Sequence, residues 1–231
     1  MILRFDTTYD LVRRILPFNI HIHAAACGKE EPVAMNPALD YLDAVCDLIQ
    51  QIKRTQNERF KQAADILSDR VAQGRLIYLW GPGGHSSIFS EDAMYRKGEL
   101  AALCPIYDAN ISLSHGAARE INGMERVEGL GKVVVEYHKI SKGDVIVFGS
   151  AYGINPVAIS AAIECRQRGA YVIAVTSPSF SDQSSYAGAR HSSGKNLYQV
   201  VDLYLDSFVP YGDAVPVSYT HLRAHETTLH L

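Results

Sequence analysis

The sequence predicts an α/β protein: a three-layer sandwich in which helices cover both faces of a central, mostly parallel sheet. Two observations carry this prediction. Between residues 75 and 206, short unbroken apolar runs alternate with stretches of helical period. Unbroken apolar strands joined by helices are those buried on both faces, as in a parallel sheet. In addition, the runs ending at Trp80, Phe148 and Val175 each empty into Gly-, Ser- and Asn-rich sequence. In such sheets ligands sit beyond the carboxyl ends of the strands.

The elements follow in order. In "MNPALDYLDAVCDLIQQIKR", Asn36 suits a helix cap and Pro37 the first helical position, where no N–H is needed. Leu39, Leu42, Val45, Cys46, Ile49 and Ile52 then recur at helical spacing. Met35 directly precedes the cap, so residues 1–34 are expected to be a non-native leader and 35–215 the domain. "FKQAADILSDRVAQG" is a second amphipathic helix, with Phe60, Ala63, Ala64, Leu67 and Val71 on one face and Gly74 as its stop. "RLIYLW" (75–80) is the first buried strand. "SIFSEDAMYRKGELAAL" (87–103), with Ile88, Met94 and Tyr95 apolar, reads as a helix, and so does "GMERVEGLGKVVVEYHKI" (123–140). "DVIVFGS" (144–150) is a second strand, "NPVAISAAIECRQRG" (155–169) a helix capped by Asn155, and "AYVIAVTS" (170–177) a third strand. "QVVDLYLD" (199–206) is a fourth, whose alternation suits an edge or a half-exposed face.

A length of 231 residues accommodates one sizeable domain, with room for a second small one. A net charge of −3 gives no overall pull toward nucleic acid or an anionic membrane, so neither is expected as a partner. No apolar run is long enough to span a membrane, and charges interrupt the opening segment too often for a signal-peptide core. Cys27, Cys46, Cys104 and Cys165 are scattered without metal or redox spacing. They read as buried free thiols in a reducing cytoplasm. The ending "VSYTHLRAHETTLHL" resembles an artefactual tail of translated library sequences, and residues 216–231 are set apart on that ground. Its histidines, and the His21/His23 pair of the leader, therefore carry no metal reading; no metal or other cofactor is expected.

The turn "GPGGHSS" after the first strand has the composition of a phosphate loop. A dinucleotide fingerprint would need a third glycine where Ser86 stands, and an acid at the end of the next strand. A Walker A loop is absent. A sugar phosphate is left. It can be held by hydroxyls and backbone N–H groups at strand-to-helix turns, here Ser86 and Ser87 in the first turn and Ser150, Gly153 and Asn155 in "GSAYGIN".

"VIVFGSAYGINPVAISAAIECRQRGAYVIAVTS" resembles the central signature of the SIS (sugar isomerase) domain family: an apolar strand, a Ser- and Gly-containing turn, a helix, an "RG" stop and a "VIAVT" strand. "GPGGHSSIFSEDAMYR" and "RHSSGKNLYQVVD" resemble a stand-alone bacterial subfamily with a Gly-His-Ser loop and a His-Ser-Ser-Gly-Lys stretch. The resemblance covers about residues 35–215. It implies a flavodoxin-like, doubly wound sheet, phosphosugar binding, and a homodimer or homotetramer. It also implies a further helix where the set-apart tail now stands. Tyr152 and Asn155 depart from the serine and threonine of the wider pattern, and Tyr152 replaces a phosphate hydroxyl with bulk.

Aldose–ketose isomerisation needs one base over two adjacent carbons, acid help at the oxygens, and donors for the developing charge. Glu91 matches the subfamily's acidic position and is the candidate base; His191 is the candidate acid, base or sugar-hydroxyl ligand. Gly83, His85, Ser86, Ser87, Ser150, Gly153, Asn155, Thr176, Ser177, Ser192, Ser193 and Lys195 complete the expected binding set. His115 is a weaker candidate. Glu125 and Glu128, near a helix start, read as dipole complements or as ligands lent to a neighbouring subunit. The function expected is therefore a phosphosugar isomerase working through an enediolate. The alternative is a module that senses a phosphosugar without converting it. Sensors of that kind carry a basic helix-turn-helix ahead of the domain, and residues 1–74 contain none.

Overall fold

A computed structural model describes residues 37–93, 97–113, 123–184 and 190–212, all within the compact unit Pro37–Leu231. Two helices come first, α1 (Pro37–Thr55) and α2 (Asn57–Ala72). Then follow β1 (Ile77–Trp80), α3 (Ile88–Glu91), β2 (Leu103–Ile106), a 3-10 turn (Met124–Arg126) and α4 (Glu128–Tyr137). The chain continues through β3 (Val145–Gly149), α5 (Pro156–Gln167), β4 (Tyr171–Thr176), α6 (Pro178–Gln183), a second 3-10 turn (Leu197–Gln199) and β5 (Leu203–Asp206).

The five strands are all parallel, in the order β2-β1-β3-β4-β5. The order reverses between β1 and β3, the switch point at which a doubly wound sheet opens a crevice. Trp80 pairs with Ile106 on one side and Phe148 on the other. Phe148 pairs with Ala174. The carboxyl ends of β1, β2 and β3 are thus level, and the turns that leave them stand side by side.

β3 is buried at every position. Its alternate residues supply the two cores. Ile146 and Phe148 join Trp80, Val135, Val157 and Ala161 on the face covered by α4 and α5. Val145 and Val147 join Ile77 and Ile173 on the other face, against Ala63, Ile66, Leu67 and Val71 of α2. Each fully buried valine, isoleucine or phenylalanine among them contributes roughly 1.5–3 kcal/mol over its exposed state. Among the described residues no helix is long and apolar enough to cross a membrane.

Several expectations need correction. The helix read across 87–103 is a single turn at Ile88–Glu91, and residues 97–98 form a turn. Gly98 costs a helix about 1 kcal/mol relative to alanine, and Leu103 already belongs to β2. β2 itself was not expected: four residues with Pro105 inside do not read as a strand. It is tolerated because β2 is an edge strand, where proline's missing N–H faces outward. The helix read across 123–140 breaks at Val127, whose extended backbone separates the 3-10 turn from α4. The fourth strand begins at Leu203 rather than residue 199, but its edge placement stands. α6 falls in the Ser-rich sequence after Val175, where no helix was expected; Ser177 initiates it by accepting the Phe180 N–H at 3.3 Å. The stripe on α1 does not enter the core, since Leu39, Leu42 and Ile49 are exposed. Cys46 on the same helix is exposed too, whereas Cys165 is buried and its thiol is pushed up to about 12 by that burial. Met94, Tyr95, His115, Cys27, Asn36, the leader and the tail lie outside the described residues.

Candidate functional site

The first turn is built by close approach. Gly81 lies against the Ser86 carbonyl, where any Cβ would overlap it. The Gly81 N–H donates to Ser90 Oγ at 2.8 Å, and Ser87 N–H donates to the Gly83 carbonyl at 2.8 Å. The turn is thereby closed on itself, with Gly83 and Gly84 buried and His85 exposed at its tip. Since α3 is one turn long, the dipole behind Ser86 and Ser87 is that of four residues only.

Two groups of side chains flank this turn. On the β2 side lies a cavity of about 280 Å³, lined by Gly84, His85, Ser87, Ile88, Glu91, Tyr107, Ser112 and Leu113. That volume is near the lower end of small-molecule sites. The Ser87 hydroxyl lies 2.7 Å from Glu91 Oε1 and 2.8 Å from the Gly84 carbonyl oxygen. Its single proton serves one of them at a time, and the carboxylate is the stronger acceptor. Tyr107 Oη and Ser112 Oγ are 2.6 Å apart across the cavity wall.

On the β3 side lies Glu125. Its Oε2 accepts from Asn155 Nδ2 at 3.1 Å, and the Gly84 N–H donates to the same carboxyl. A Cβ on Gly83 would stand 3.2 Å from Asn155 Nδ2, 3.3 Å from Glu125 Oε2 and 3.4 Å from Ser86 Oγ. The glycine therefore lets the three polar groups close over the turn. Burial pushes the Glu125 carboxyl up to about 7, against the opposing pull of Arg126 and the Gly84 N–H. Asn155 occupies the cap position of α5, but its side chain makes no cap; it is directed to Glu125 instead.

The second turn is more inward-looking than its composition suggests. Ser150 is buried and its Oγ accepts the Gly153 N–H at 3.3 Å. Gly153 has φ +63°, and a Cβ there would come within 2.5 Å of Thr176 Oγ1. Tyr152 stacks on Phe180 at 4.3 Å with the planes 6° apart. Thr176 and Ser177 are fully buried; Ser177 Oγ donates to the Val209 carbonyl at 2.8 Å.

The loop after α6 is anchored on both sides of His191. Arg190 donates to Asn196 Oδ1 at 2.6 Å and to the Ser184 carbonyl at 2.8 Å. Glu128, at the start of α4, takes the Ser192 N–H and, at 2.8 Å, the Ser192 hydroxyl. These two bonds hold its carboxyl below the usual range, with His191 adding to the effect. His191 Nε2 stands 3.5 Å from Glu128 Oε2. Its Nδ1 accepts the Ser193 N–H at 3.1 Å and lies 2.8 Å from Ser193 Oγ. A neutral ring with Nδ1 as acceptor carries its proton on Nε2, toward Glu128. Lys195 N–H donates to Ser193 Oγ at 3.3 Å.

The predicted residues thus fall into separate groups. Gly83, His85, Ser86, Ser87 and Glu91 belong to the first turn and its cavity. Ser150, Gly153, Thr176 and Ser177 pack the second. His191, Ser192, Ser193 and Lys195 form the third loop. Glu91 bonds to Ser87, whereas His191 bonds to Ser193 and faces Glu128. A segment outside the expected binding set joins the groups: Glu125 reaches the first turn and Glu128 the third loop. The signal for it was Val127, a β-branched residue between Glu125 and Glu128, whose meaning is visible only once the helix is known to break there.

The SIS domain family model matches residues 40–177. A UPF0309 protein of Shouchella clausii is 37% identical over 174 residues, spanning 75% of this chain and 69% of that protein. Another UPF0309 protein, of Caldanaerobacter subterraneus, is 34% identical over 176 residues, spanning 76% and 70%. Among solved structures, a phosphoheptose isomerase from Francisella tularensis aligns with a TM-score of 0.54 and 16% identity, over 79% of this chain and 88% of that one. At that identity the likeness is one of fold.

Proposed function

The chain belongs to the SIS domain family, and from that premise we propose that it binds a small phosphosugar at the carboxyl edge of its sheet and interconverts aldose and ketose forms through an enediolate. The observation that carries this reading is the reversal of strand order between β1 and β3. It sets the "GPGGHSS" and "GSAYGIN" turns side by side over level strand ends, with the Ser86 hydroxyl and the Asn155 amide meeting over Gly83. A phosphosugar needs such donors and no metal or nucleotide loop. The similar fold of a phosphoheptose isomerase supports the same reading at the level of architecture.

In this reading Glu91 is the base. It borders the cavity beside Ser87, whose hydroxyl holds the carboxylate in place. His191 supplies a proton or binds a sugar hydroxyl, with Ser192, Ser193 and Lys195 beside it. Ser86, Ser87 and Asn155 serve the ligand's oxygens. The protein acts in the cytoplasm as a homodimer or homotetramer.

One observation favours the second reading, a binding module without turnover. Ser150, Thr176 and Ser177 are buried in packing roles, and Glu91 and His191 belong to different groups of contacts. The deciding experiment screens the full chain against a panel of aldose and ketose phosphates by thermal shift, then assays each hit for turnover in wild type, Glu91→Gln and His191→Ala. Turnover lost in Glu91→Gln is expected. Binding without consumption of any substrate supports the sensing module, and a shift with nucleotides alone overturns both readings.

A further inference from the structure

Glu125 is a half-buried carboxyl that the reaction outlined above leaves unused. It is faced from the turn after β1 by Gly83, Gly84 and Ser86, and from the cap of α5 by Asn155. None of these brings a charge; the charged neighbour acting on it is Arg126 of its own segment. The donors that would serve a bound anion, the Gly84 amide and the Asn155 side chain, are thus engaged by a carboxyl of the chain itself. A phosphate placed in the same cradle would find both donors engaged, and it would repel the carboxylate left whenever Glu125 gives up its proton; in a partly desolvated crevice that repulsion exceeds its value of about 1 kcal/mol at 4 Å in bulk water. A neutral sugar oxygen meets no such penalty. It can accept a hydrogen bond from the protonated acid while the turn amide and Asn155 remain in place.

We propose that Glu125 is a further acid–base residue of the site, which in its protonated form donates to the carbonyl oxygen of a sugar held between the turns after β1 and β3. The proposal rests on the isomerase reading and deepens it: the reacting end of the sugar, not its phosphate, lies against the first turn. Gly84 links the two carboxyls, since it lines the cavity beside Glu91 and gives its N–H to Glu125.

The step balances without any added reactant. The base takes the proton from the carbon next to the carbonyl, and that C–H electron pair becomes the C=C bond of the enediol. The carbonyl π pair forms a bond to the proton released by Glu125, leaving Glu125 as carboxylate. In the second half the base returns its proton to the neighbouring carbon, and Glu125 recovers a proton from the other hydroxyl. A carboxyl held up to about 7 by burial is substantially protonated at neutral pH, as the first half requires.

The test is steady-state kinetics of the full-length wild type, Glu125→Gln, Glu125→Asp and Glu91→Gln on the sugar phosphates that bind, from about pH 5 to about pH 9. Glu125→Gln is expected to lower kcat by about 100-fold with little change in KM, because the amide still donates a hydrogen bond but has no proton to transfer. Wild-type kcat should decline above pH about 7; that decline should vanish in Glu125→Gln and persist in Glu125→Asp. Turnover that depends on Glu91 but survives in Glu125→Gln with the wild-type pH profile overturns the role of Glu125 and leaves the isomerase reading intact. Turnover of no sugar phosphate overturns both. Should Glu125→Gln not fold, infrared difference spectra of the wild type decide. A protonated-carboxyl band that bleaches as pH rises through about 7 and shifts on sugar-phosphate binding supports the proposal, and a band indifferent to ligand overturns it.

Discussion

The two flanks of the turn after β1 hold two glutamates in unlike surroundings. Glu91 is exposed at the rim of an open cavity and is held by one hydroxyl. Glu125 is half-buried between two turns, shares their donors, and has its ionisation disfavoured by the loss of water around it. Glu91 lines the cavity, and Glu125 is the carboxyl whose surroundings have altered its chemistry. A motif marks where a ligand is handled; burial decides which carboxyl carries a proton at neutral pH.

Four substitutions test this contrast. Gly81→Ala removes both flanks at once, because the new methyl overlaps the Ser86 carbonyl and the turn must open. A loss on the order of 3 kcal/mol is expected in urea unfolding. Glu125→Gln is next and has a pH signature. The folded-state value is about 7 against an ordinary 4.5, so the native state binds the extra proton between those values. The stability this gives is present at low pH and is lost as pH rises through about 7. The variant, which has no charge to bury, should exceed wild type by about 1 kcal/mol at about pH 8, with the difference shrinking toward about pH 5.

Glu128→Ala acts on the third loop. The loss of both bonds to Ser192 should speed amide exchange at Ser192 several-fold while the sheet amides are unchanged. Because the Glu128 carboxyl is held below its ordinary value, the wild-type protection is present above that ordinary value and disappears as pH falls through the lowered one. Loop exchange insensitive to Glu128→Ala would show that Arg190 anchors the loop alone. The smallest effect belongs to Glu91→Gln. An exposed side chain with one hydroxyl partner should change stability by less than about 0.5 kcal/mol at any pH, so any loss of turnover in that variant reports chemistry rather than folding.

Much of the sheet was legible in the chain. β3, α5 and β4 are contiguous, strongly patterned and close to their expected bounds, because unbroken apolar runs have few alternatives to a buried parallel strand. β2 was not legible, since four residues with an internal proline carry no period; its pairing with β1 is what makes it a strand. Of the site, the glycine turn and the His191 loop were visible as turn chemistry. The burial of Ser150, Thr176 and Ser177 was not, because a hydroxyl beyond a strand reads the same whether it faces a ligand or packs beneath a neighbouring turn.

What the sequence determined by itself is the layered parallel sheet, its polar carboxyl edge and the family to which both point, since these follow from local runs of residues. What only the tertiary structure decided is which carboxyl at that edge is altered. Glu125 and Asn155 are 30 residues apart, brought together by a break at Val127, the docking of α4 beside α5 and the reversal of strand order at β1. Desolvation is a property of those neighbours, and no pattern local to Glu125 contains them.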